Sequence, residues 1–278
     1  MNSFSENPES QPAVQSPAAD AYAVEPPPPD TPDLSADPAW NAWDLVKLVS
    51  VTLVALLVSM VAALILARSL LQPRREIADL ARTAVVAAGG QGLAYLLVFA
   101  YMYFLVTREK RRPAFLQAIH WNWPANPSVY VLWGMGLSVG LQLLGRFLPI
   151  PKNLPIDNLF RTPLDAWVLT IFGIAVAPLM EELLFRGFLY PVLQRGFGMG
   201  AAVVLTAGAF ALVHGSQLKF SWGPLLLIFL VGLALTYVRA KKDSVAAALL
   251  LHISYNSTIS ALLFAATDGF RHLDKMPQ

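Results

Sequence analysis

Residues 48–67, LVSVTLVALLVSMVAALILA, run for 20 positions without a charge, and that run limits what the chain can become. As a helix it covers about 30 Å at 1.5 Å per residue, the thickness of a bilayer's hydrocarbon core. A second uncharged run, from Thr83 to Thr107, is longer still. Amides in lipid find no water, so segments like these must satisfy their backbone internally, as helices. Composition agrees, with 56% of the 278 residues hydrophobic and 14% charged, where soluble domains are about a quarter charged. A net charge of +2 argues against a nucleic-acid partner. The absence of cysteine excludes a disulfide framework, a thiol nucleophile and thiolate metal ligands.

Residues 1–39 are rich in Pro, Ser, Ala and acid and contain no Lys or Arg. They read as a disordered acidic tail without the basic start of a signal peptide. Trp40 and Trp43 then precede the first span as interfacial anchors. After the first two runs comes a basic loop, REKRRPAFLQAIHWNWP, whose middle suits a short amphipathic helix at the interface. Further spans are predicted over 128–145, 164–189 (ended by Pro191), 199–215, 223–238 and 244–266. The fold expected is an all-α, polytopic membrane bundle of about seven transmembrane helices, with lipid as its surroundings. Its two faces carry 8 and 10 Lys or Arg, so the positive-inside rule does not orient it.

The chain has seven glutamates and four histidines, and several of them lie at membrane depth. Glu181 and Glu182 sit side by side in APLMEELLFRGFL with Arg186 following. On a helix Glu182 and Arg186 are i,i+4 partners, while Glu181 points about 100° away and lacks one. An unpaired charge at the bilayer centre costs about 2.5–3.5 kcal/mol on insertion scales. His214 follows Phe210 by four residues in the fifth span, and Asn256 follows His252 by four in the seventh. His120 lies in the tryptophan-rich interfacial loop, and His272 and Lys219 lie outside the spans; these three are set aside. A carboxylate, two imidazoles and an amide from three helices suit hydrolysis. Glu and His activate water as bases or by holding a divalent ion, and His and Asn donate to an oxyanion. No G-x-S-x-G or H-E-x-x-H pattern is present, which disfavours a serine nucleophile or a zincin helix. The structural alternative is a buried ion network with helix-packing histidines.

EELLFR (181–186), FALVH (210–214) and HISYN (252–256), in this order and each in an apolar run, resemble the EExxxR, FxxxH and HxxxN/B motifs of the CPBP, or Abi, family. That family includes the type II CAAX prenyl endopeptidases and bacterial bacteriocin-processing or immunity proteins. The resemblance covers residues 127–266, leaving 40–126 as two additional helices with a basic loop and 267–278 as a C-terminal tail. It implies an intramembrane endopeptidase of glutamate type in which Glu181 and His214 activate the water and His252 and Asn256 form the oxyanion site. Glu182, Arg186 and Phe210 would support the geometry. Glu181, His214 and His252 would be the ligands of a single divalent metal such as zinc, if one is used. The substrate implied is a peptide or membrane protein, and the bacterial branch implies a multi-pass protein of the bacterial plasma membrane. Two other classes fit the same residues: a non-catalytic scaffold or bacteriocin-immunity protein on this fold, and a proton-coupled transporter.

Overall fold

The computed structural model describes Met1 and residues 37–71, 76–152 and 154–275. The acidic tail therefore lies outside the described residues except for Met1 and 37–39. The described residues are helical and contain no strand. The helices are α1 (Ala42–Leu66), α2 (Ile77–Ala81), α3 (Ala84–Phe104), α4 (Phe115–Ala118), α5 (Pro127–Gly145), α6 (Pro163–Ile171), α7 (Ala177–Glu182), α8 (Tyr190–Val213), α9 (Trp222–Lys242) and α10 (Val245–Ala266).

Six stretches are long and apolar enough to cross a membrane, and one of them, Pro163–Val213, contains 51 residues. A straight helix of that length would reach about 77 Å, more than twice the hydrocarbon core. It is broken at Gly198, whose φ of 76° is non-helical and suits a residue without a Cβ. The break separates the stretches expected as the fourth and fifth spans, so the six stretches correspond roughly to the seven expected. Pro191 does not end the fourth span. It falls at the start of α8, directly after a π-turn over Leu183–Leu189, where a missing N–H costs little.

Large side chains such as Leu53, Leu57, Leu96 and Leu132 point outward, as lipid-facing residues do. Inside, small residues set the helix spacing, as is common in membrane bundles. A Cβ on Gly134 of α5 would run into the Leu251 carbonyl of α10 and lie 2.7 Å from Ser254 Cβ. One on Gly232 of α9 would lie 3.0 Å from Ala207 Cα of α8.

The start of α1 is fixed by a capping box in which Asn41 accepts from Trp43 N and Asp44 N while Asp44 bonds back to Asn41 N. Asp44 also pairs with Lys47 and Lys110, tying α1 to the loop after α3. This anchoring brings Trp40 inward and corrects its reading as an interfacial anchor. Its indole is 1% exposed, stacks on Phe188 at 4.6 Å, and donates from Nε1 to the Phe188 carbonyl at 3.0 Å. Trp43 remains 68% exposed. The basic loop does contain a short helix, α4, whose flanking Phe115 and Ile119 are buried in the core beneath α3.

Candidate active site

Glu181 and Glu182 close α7, where the chain passes into the second of the two π-turns in the Pro163–Val213 stretch; the first spans Phe172–Val176. Consecutive positions on the helix send the two carboxylates to different partners. Glu182 is fully buried and accepts from Arg186 Nη1 at 3.0 Å, the pairing expected from spacing. The same oxygen, Oε1, also meets His252 Nδ1 of α10 at 2.8 Å. Its other oxygen, Oε2, is buried without a hydrogen-bond partner.

Arg186 is also fully buried, and α9 helps to hold it there. Its Nη2 donates to the Gly232 carbonyl at 3.0 Å and its Nε to Thr236 Oγ1 at 3.2 Å. The guanidinium lies 4.7 Å over the Phe210 ring. Phe210 in turn stands edge-on to His252, with centroids 5.8 Å apart, and 4.9 Å from the His214 ring. Phe210 is thus the apolar spacer between the arginine and both imidazoles.

Glu181 stays partly accessible, at 17% side-chain exposure, with His214 at 20% and His252 at 4%. Its Oε1 is 3.8 Å from His214 Nε2 and its Oε2 is 3.7 Å from His252 Nε2. Both separations are too long for hydrogen bonds. The other ring nitrogens are engaged. His214 Nδ1 lies 2.8 Å from the Phe210 carbonyl, which only accepts, so Nδ1 carries a hydrogen and Nε2 is the nitrogen turned toward Glu181. His252 Nδ1 faces the Glu182 carboxylate and is a donor by the same argument. Two imidazoles from separate helices therefore flank one carboxylate, with a polar gap between them.

Asn256, one turn beyond His252, donates from Nδ2 to the Gly173 carbonyl in the first π-turn at 2.7 Å. That bond leaves the second N–H of its amide for another acceptor. Among the described residues, no three His, Asp or Glu side chains are disposed to hold a metal ion, the set of Glu181, His214 and His252 implied by the resemblance included.

Sequence reasoning missed Gly232, Thr236 and Arg239. Arg239 Nε donates to the Arg186 carbonyl at 3.2 Å and its Nη1 reaches Asp243 Oδ1 at 2.6 Å. Asp243 Oδ2 meets His120 Nδ1 at 2.7 Å, and His120 Nε2 meets Asp37 Oδ2 at 2.9 Å. Burial pushes the Asp243 carboxyl up, but the bonds from His120 and Arg239 outweigh it and hold it below the usual carboxylate range. His120, set aside from the chemistry, has this bridging position instead. The one available signal was the basic triplet Arg239, Lys241 and Lys242 ending an apolar helix, which reads equally well as an interfacial flank.

Comparison with known protein families selects the same segment. Residues 163–258 match the family model of Rce1-like type II CAAX prenyl endopeptidases. The match begins at α6 and ends within α10, so it takes in Glu181, Glu182, Arg186, Phe210, His214, His252 and Asn256. It agrees with the CPBP resemblance over part of the chain, and the six long apolar stretches fit a multi-pass membrane protein. Comparison with curated proteins and with solved structures gave no match.

Proposed function

We propose that the chain is an intramembrane endopeptidase that hydrolyses a peptide bond with a water activated by Glu181 and His214. The observation that carries this reading is the convergence of Glu181 with the Nε2 atoms of His214 and His252, at 3.8 and 3.7 Å. A water in that gap gives one hydrogen to the Glu181 carboxylate and the other to His214 Nε2, leaving its lone pair to attack the scissile carbonyl carbon. The proton moves to Glu181 as the oxygen–carbon bond forms. The second N–H of Asn256 faces the developing oxyanion. His252 joins it by carrying a proton on Nε2, with Glu182 balancing the charge at Nδ1. Collapse of the intermediate breaks the carbon–nitrogen bond, and Glu181 returns its proton to the leaving nitrogen. Arg186 acts only through Glu182 and is a positioning residue. The substrate in this reading is a peptide or membrane protein presented at membrane depth, and the location it proposes is the bacterial plasma membrane, as in the bacterial branch of the family resembled.

The test uses purified full-length protein in proteoliposomes with a fluorogenic lipidated peptide as probe. Glu181→Gln and His214→Ala are each expected to lower kcat at least about 100-fold, the lower end of what acid–base groups supply, while inserting and melting like the parent. Cleavage at the parental rate by both variants would overturn the assignment and favour the non-catalytic scaffold.

A further inference from the structure

A cleft that plays no part in this chemistry runs between α5 and α9. Its mouth is a cavity of about 420 Å³ whose lining includes Asn122, Trp123, Asn126, Tyr130, Trp133 and Lys242. Trp133 also borders an apolar groove of about 410 Å³ formed by Leu132, Gly136, Leu137, Ala234, Tyr237 and their neighbours. The packing explains the groove. Gly134 presses α5 onto α10, whereas Gly136, two positions on, has nothing within 4 Å of where its Cβ would stand. Leu251 of α10 lines the groove, and the next residue, His252, faces Glu181 and Glu182. The groove and the candidate active site therefore use different sides of α10.

Three properties of the cleft identify an occupant. The first is length: Asn126 to Leu137 along α5 is about 16 Å at 1.5 Å per residue, close to half of a roughly 30 Å hydrocarbon core. The cleft, polar mouth included, therefore ends within one leaflet. The second is polarity, which is concentrated at the mouth, where Asn122 (its Nδ2 already donating to the Asp243 carbonyl at 2.7 Å), Asn126 and Lys242 are found, while the groove below is lined by apolar residues and Tyr237. Trp123 lines the mouth and Trp133 its boundary with the groove, as indoles do near a bilayer's surface. The third is charge. No carboxylate lines either part of the cleft, Asp243 is turned to Arg239 and His120, and Lys242 has no ion pair among the described residues.

We infer that this cleft holds one anionic phospholipid, its phosphate at Lys242 and the Asn126 amide and one acyl chain along Gly136, Ala234 and Tyr237. Hydrocarbon lies against every outward face of the bundle, so the selectivity resides in the headgroup. A single lysine near an anionic surface supplies a preference of about five-fold, equivalent to ~1 kcal/mol.

The experiment is native mass spectrometry of the full chain released from nanodiscs of equal phosphatidylcholine and phosphatidylglycerol. The wild type is expected to retain one phosphatidylglycerol about five times as often as phosphatidylcholine. Lys242→Glu should abolish the preference. Gly136→Leu, which fills open space, should lower retention of both lipids, and Ala234→Phe provides an independent block of the same groove. Retention without headgroup preference in the wild type, or a preference unchanged in Lys242→Glu, would overturn the proposal. So would displacement of the bound lipid by inorganic phosphate, which would make this a site for the free anion. Correct folding of each variant is checked by its melting profile, and the readout does not involve peptide cleavage.

Discussion

Replacing Arg186 with Met isolates the energetics of the buried pair. Methionine fills much of the same volume, so little cavity arises and the loss is chiefly electrostatic. Of the three groups that Arg186 bonds, two are provided for without it, because Thr236 Oγ1 already donates to the Gly232 carbonyl at 2.7 Å. The penalty therefore concentrates on Glu182, whose carboxylate is fully buried with Oε2 already unpartnered and would retain only His252. Removing one member of a buried ion pair costs about 3–5 kcal/mol, and that is the destabilisation expected of Arg186→Met. Adding Glu182→Gln removes the stranded charge while keeping an oxygen for His252 Nδ1, so the double variant should regain about 2 kcal/mol or more. Unfolding in mixed micelles, followed by the fluorescence of the seven tryptophans, gives the four corners of the double-mutant cycle. A coupling below about 0.5 kcal/mol, the level at which independent sites add, would refute the view that the two residues act as one unit.

Gly134→Val should be poorly tolerated, because the side chain meets the main chain of α10 at Leu251. Overpacking of about 1–3 kcal/mol should appear as a lowered melting temperature, and Gly136→Ala, which faces open space, should change it little. Asp243 tests the ion-pair chain at the end of α9. Its carboxyl is held below the usual range, so its contribution is complete above the unfolded-state value near pH 4 and fades as pH falls through the folded one. The stability difference between the wild type and Asp243→Asn should therefore be smaller below pH 4 than at pH 5. A difference that grows on acidification would contradict it.

The division of labour between the two glutamates was legible because it needs only helical geometry: Glu182 has a cation one turn away and Glu181 does not. The two membrane-embedded histidines also announced themselves, since an imidazole in an apolar helix calls for a partner. The sequence could not say which carboxylate each ring nitrogen would meet. His252 reads as a companion of Asn256, four residues on, yet its Nδ1 is taken by Glu182 from another helix. Trp40 shows the same limit. A tryptophan ahead of an apolar run usually marks the interface, but here the Asn41 cap and the lysines around Asp44 turn the chain so that the indole is buried on Phe188. Thr236 and Gly232 carried no signal, because small residues in an apolar helix have the same composition whether they face lipid or hold a guanidinium.

The two π-turns that flank α7 have a consequence that concerns chain length. A π-turn accommodates one residue more than an α-turn and leaves main-chain carbonyls without their usual i+4 donors. Side chains from elsewhere fill that role: Asn256 at the Gly173 carbonyl, Arg239 at Arg186 and Trp40 at Phe188. All three sockets fall within Phe172–Val176 or Leu183–Leu189. Removing one residue from either turn would restore regular winding and rotate everything beyond it by about 100°, closing the sockets and shifting the helices that carry the histidines. Substitutions can leave these turns intact while changing a side chain. A single-codon deletion could not, so in this region an indel should separate homologues that share the site from those that share only the fold.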